Sequence, residues 1–128
     1  MTIELAMLAL SVVLGLVNVL ATGQAVAAEH GLAYNMSVRD EQLPLTGIGA
    51  RLQRALANYM QTFPFFAAAV LIAHVAGRHS WLTTLGAELF FWARLAYLPA
   101  YAFGIPVVRS VAFLTGVVGI VMLLLALL

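Results

Sequence analysis

The 128-residue chain contains no cysteine and no lysine. The first absence excludes disulfides, thiolate metal ligands and a protein-borne thiol nucleophile, so any thiol chemistry must use a thiol brought by a substrate. The second makes all six fixed cations arginines. Guanidinium is weakly hydrated and grips carboxylates bidentately, which suits it to buried anion sites better than a flexible ammonium. Charge of either sign is scarce: 9% of residues are charged, against a soluble average of about 25%. The net charge of +1 is too small to suggest a nucleic-acid partner. Gly-rich phosphate loops, histidine clusters and Ser/His/Asp sets are also missing, and no metal site is supported. What fills the chain instead is apolar, 64% of residues with a mean hydropathy of +1.04. Its solvent is therefore bilayer, not water.

No charged residue occurs between Glu4 and Glu29, and about 20 apolar residues suffice to cross a hydrocarbon core. A first spanning helix is predicted over residues 3–28. It is too long, and lacks the basic flank, for a cleaved signal peptide. Composition turns polar over residues 29–49, the one long connection, which is placed at or outside the headgroups. Further helices are predicted over 50–77, 81–103 and 107–128, separated by Gly77–Ser80 and by Gly104–Pro106. The third carries Glu88 and Arg94, and Pro99 is expected to kink it. The expected fold is thus all-α, a single integral membrane domain over 1–128 built as a four-helix bundle. Four spans put both termini on one side. Arg39, Arg51, Arg54 and Arg109 flank the opposite side and Arg78 alone marks the terminal one, so the positive-inside rule makes the arginine-rich side cytoplasmic and the termini external.

Chemistry concentrates in Ala50–Phe66. On a wheel of about 100° per residue, Arg51, Arg54, Asn58 and Gln61 fall within an arc of about 80°. A polar stripe entering a membrane must face protein, a partner subunit or a water-filled cavity, because each unpaired polar group in hydrocarbon costs several kcal/mol. Arginines that snorkel to headgroups, with Asn58 and Gln61 joining helices, are the competing reading. A second stripe, Arg94, Tyr97 and Tyr101, lies in the third helix, although tyrosines near a span end also form interfacial belts. In the four-span topology Arg51, Arg54, Tyr97, Tyr101, Arg109 and Ser110 all lie toward one membrane side. Asn18 and His74 are read as packing contacts between helices, and Gly15, Gly116 and Gly119 as points of close approach. Glu88 is a functional candidate by its depth, with a hydrogen-bonded interhelical contact as the preferred alternative.

The segment R-L-Q-R-A-L-A-N-Y-M-Q-T-F-P, followed by A-R-L-A-Y-L-P-A-Y and R-S, resembles the membrane-associated proteins in eicosanoid and glutathione metabolism, the MAPEG family, over nearly the whole chain. The loop V-R-D-E-Q-L-P is similar to that of small bacterial members. The resemblance implies a homotrimer of four-helix protomers in a bacterial inner membrane, with glutathione as co-substrate held between subunits near the cytoplasmic face and a lipophilic second substrate. It assigns Arg51, Arg54, Asn58, Gln61, Arg94 and Tyr97 to binding. Arg109 is assigned to the thiolate, with Ser110 or Tyr101 donating a hydrogen bond. Two departures stand out: family members usually carry glutamate where Gln61 stands, and the eicosanoid enzymes are basic near the end of the first helix, where this chain reads Ala25, Val26, Ala27 and Ala28. Only Gln24 and the more distant Arg39 could substitute there. The function expected is glutathione transfer or peroxide reduction. A non-catalytic protein of the same fold and a small proton-coupled exporter working through Glu88 are the alternatives.

Overall fold

Two of the four long helices begin where a side chain satisfies the first turn. Thr2 accepts a hydrogen bond from the Leu5 N–H at 3.2 Å, and at Ser80 a capping box satisfies the first turn in both directions. The computed structural model describes residues 1–128 and is all-helical, with α1 (Ile3–His30), α2 (Leu32–Met36), α3 (Gly47–Val75), α4 (Trp81–Ala102) and α5 (Val108–Leu125) in chain order. Gly31, at φ +91°, separates α1 from α2, a short helix within a connection whose composition announces only polarity. Pro64 and Pro99 both lie inside helices, and α4 continues past Pro99 to Ala102. Helices α1, α3 and α5 are each long and apolar enough to cross a membrane. Helix α4 matches them in length but carries Glu88 and Arg94.

The four long helices pack side by side, every pair in contact except α1 with α5. Phe66 and Phe90 stack at 4.0 Å in the centre, with Val70, Ala87 and Leu123 around them. Outward faces remain apolar, as at Val13, Leu16 and Leu20 of α1, where a soluble protein would present charge. Most polar groups inside are paired, the exceptions being Arg94 Nε and the Tyr97 hydroxyl. The Tyr59 hydroxyl donates to the Ser11 carbonyl, and the Asn18 carboxamide lies 3.3 Å from both the Leu52 carbonyl and the Leu56 N–H. Buried Glu4 accepts from the Thr84 hydroxyl at 2.9 Å and stands 3.3 Å from His79 Nδ1, tying α1 to the start of α4.

Helices α4 and α5 meet backbone to backbone. A Cβ on Gly119 would fall 2.5 Å from the Gly86 carbonyl oxygen, and one on Gly86 would fall 2.6 Å from the Gly119 carbonyl oxygen. Neither backbone can yield locally, so Gly119→Ala is expected to force the two helices apart at a cost of about 1–3 kcal/mol. Thermal unfolding in detergent measures this, with Gly23→Ala as control, because nothing lies within 4 Å of the position a Cβ would take there. Equal melting of the two variants would contradict the close approach.

Candidate functional site

One end of the protein gathers the C-terminal ends of α1 and α4 and the N-terminal ends of α3 and α5. Thr46, just before α3, donates to the Glu29 carboxylate from both its N–H (3.1 Å) and its hydroxyl (2.8 Å). Glu29 is thereby occupied by backbone and hydroxyl rather than by a guanidinium. Between α4 and α5 the chain turns through Gly104 at φ +79° and Val107 at φ +68°. A left-handed β-branched residue costs about 1–3 kcal/mol and persists only where surrounding structure imposes it. Arg51 lies along this turn and donates to the Ala102 carbonyl at 3.3 Å.

Two adjoining cavities open here. One, of about 230 Å³, is walled by Arg51, Arg54, Tyr101, Arg109 and the turn Gly104–Val107. The other, of about 350 Å³, is walled by Arg54, Ala57, Asn58, Gln61, Arg109 and Phe113. Arg54 and Arg109 belong to both and stand between them. Arg54 Nε donates to the Tyr101 hydroxyl at 3.0 Å, and the Tyr101 ring stacks on that of Tyr97 at 5.3 Å. No carboxylate pairs with Arg51, Arg54 or Arg109, for the only carboxylate within 4.0 Å of a basic side chain is that of Glu4, beside His79 at the opposite end. Three unneutralised guanidinium groups beside a phenol form an anion-binding arrangement. No three histidine or acidic side chains gather as metal ligands.

Behind this wall lies Arg94, only 1% exposed. It donates to Asn58 Oδ1 at 2.5 Å and to Thr62 Oγ1 at 2.7 Å, and its guanidinium sits 5.2 Å from the centre of the Tyr97 ring. Of the residues singled out from sequence, Arg51, Arg54, Gln61, Tyr101 and Arg109 line the cavities and Asn58 bridges from cavity wall to Arg94. Arg94 and Tyr97 are buried behind them and line neither cavity. Ser110 is exposed and lines neither cavity. Arg39 folds back onto Asn35 and the face of Tyr34, away from the other arginines. Thr62 and Phe113 went unnoticed in sequence. Thr62 follows Asn58 by four residues on the same face, and Phe113 follows Arg109 by the same interval, so helical spacing alone could have flagged both.

Neither a curated protein nor a solved structure matches the chain. The model of the MAPEG family does match it, over residues 5–128, a span that includes every residue of the arginine-lined cavities, and the chain therefore belongs to the MAPEG family.

Proposed function

We propose that this protein is a membrane glutathione-binding enzyme, a transferase or peroxidase acting on lipophilic electrophiles or hydroperoxides. The observation that carries the proposal is the convergence of Arg51, Arg54 and Arg109 on two adjoining cavities with no protein carboxylate to neutralise them. Glutathione has two carboxylates and one amine, and each charge-assisted hydrogen bond to such a group is worth about 1.5–3 kcal/mol. Arg51 and Arg54 hold the carboxylates, while Asn58 and Gln61 offer amide groups to the peptide. Gln61 accepts a hydrogen bond from the glutathione amine without the ion pair that a glutamate would add. Arg94 and Tyr97 act from behind, Arg94 by fixing the Asn58 carboxamide and Tyr97 by supporting the Tyr101 ring.

Arg109 faces the thiol. Tyr101 receives the Arg54 Nε–H on its oxygen and so keeps its own hydroxyl proton free to donate to the sulfur, whereas Ser110 is turned away from both cavities. In this reading α4 crosses the membrane with the other three long helices, and three protomers associate so that a neighbouring subunit closes each site. The arginine-rich end faces the cytoplasm of a bacterial cell and both termini face out, a reading supported by the distribution of Arg39, Arg51, Arg54 and Arg109 against Arg78.

Calorimetric titration of the protein in lipid nanodiscs with glutathione tests the proposal. Saturable binding is expected, and Arg54→Ala should raise Kd by about 10–100-fold, the equivalent of one charge-assisted bond. An absence of binding to the wild-type protein would remove the glutathione reading and leave an anion site of another specificity.

A further inference from the structure

A separate, larger groove of about 650 Å³ runs along the outward face between α4 and α5. Its floor is made by the small residues Ala93, Ala96 and Ala100, and from Leu85 to Ala100 it extends about 22 Å at the helical rise. Nearly all its walls are apolar. Besides the Trp92 indole N–H and the buried, unpartnered Tyr97 hydroxyl, the exceptions are Glu88, which makes no hydrogen bond within the protein, and Thr115, whose hydroxyl proton goes to the Val111 carbonyl at 2.8 Å. Toward the groove Glu88 and Thr115 therefore present an unpartnered carboxyl and a hydroxyl oxygen.

Within the protein no hydrogen bond reaches Glu88, and the donor one helical turn away on the same wall, the Trp92 indole N–H, does not bond to it. Gly86 faces Gly119, Phe66 stacks on Phe90, and Glu4 meets Thr84, so residues level with Glu88 are close to Val117 on α5, Ala68 on α3 and Leu8 on α1. All are apolar. An unpartnered carboxyl among apolar groups is costly, and side chains of this kind within spans mark ligand paths.

We infer that the α4–α5 groove binds a lipophilic amine, its apolar body lying along the alanine floor and its ammonium group donating to Glu88 and Thr115. Charge complementarity selects this occupant, because a neutral acyl chain fills the groove but leaves Glu88 unpaired. The site is distinct from the arginine cavities, and the inference does not rest on the glutathione reading.

The test uses the full chain in nanodiscs with Trp81→Phe, so that Trp92, on the groove wall, is the single indole reporter. Titration with dodecylamine at pH 7 should change Trp92 emission saturably, above the effect of partition into lipid measured with dodecan-1-ol. Glu88→Gln should weaken amine binding at least tenfold while leaving dodecanol unaffected, and Glu88→Asp should retain most of the amine affinity. Ala96→Phe, which fills the floor, should abolish both signals. Glutathione titration of Glu88→Gln should match wild type, which separates failure of this site from failure of the other. Equal responses to amine and alcohol, or amine binding untouched by Glu88→Gln or by Ala96→Phe, would overturn the inference.

Discussion

Replacing Arg94 with methionine is expected to cost the folded protein about 2–5 kcal/mol, although methionine fills much of the same space. The loss is polar. With the guanidinium gone, Asn58 Oδ1 and Thr62 Oγ1 each lose the donor that now reaches them at 2.5 and 2.7 Å. A buried acceptor left unpaired costs about 1–3 kcal/mol. The reciprocal change, Asn58→Leu, costs as much or more, because it leaves a buried cation with fewer partners in a site where Arg94 Nε already has none. The double variant Arg94→Met with Asn58→Leu removes both halves of the contact and should recover part of the loss. Its destabilisation is expected to fall short of the sum of the single variants by more than about 1 kcal/mol. Denaturant unfolding followed by circular dichroism in detergent measures all three, and simple additivity would mean that the two side chains do not act as a unit. Arg94→Met should also weaken glutathione binding, through release of the Asn58 carboxamide that faces the larger arginine cavity.

The fate of Arg94 marks where sequence reading reached its limit. The wheel placed Arg94 with Tyr97 and Tyr101 on one stripe of α4, and the structure keeps those three on adjoining faces, but depth separates them. Tyr101 reaches the cavity while Arg94 points into the protomer, where Asn58 and Thr62 of α3 await it. Periodicity gives an angle around a helix, whereas burial depends on which neighbour lies across that angle, and the neighbour belongs to another part of the chain. The stripe of α3 was more legible, since Arg51, Arg54, Asn58 and Gln61 all reach the cavity walls from one face. Gly119 was read as a point of close approach, and it is one, yet its counterpart Gly86 drew no attention because a single glycine in an apolar run has no periodic signature. The short helix α2 escaped for a related reason: five residues are too few to show a hydrophobic period.

The other large effect concerns Arg109. A free thiol has a pKa near 8.5, so only a few per cent is thiolate at pH 7. A guanidinium about 4 Å from sulfur at an effective dielectric of about 20 attracts the thiolate by about 4 kcal/mol before desolvation is subtracted. Half of that lowers the thiol pKa by more than a unit, since one unit corresponds to about 1.4 kcal/mol. The sign follows: the cation favours the charged form, so its removal returns the thiol toward its free value and withdraws thiolate at neutral pH. Arg109→Ala is expected to lower transferase kcat at pH 7 by about tenfold or more and to shift the rising limb of the pH–rate profile to higher pH by about one unit or more. At pH 9 the deficit should shrink, because the thiol then ionises without help. KM for glutathione should rise less than kcat falls, since Arg51 and Arg54 still hold the carboxylates, and Arg109→Lys should keep part of the rate because the charge remains. A variant whose rate drops equally at every pH would show that Arg109 positions the peptide instead of the sulfur, and an unchanged rate would remove it from the chemistry altogether.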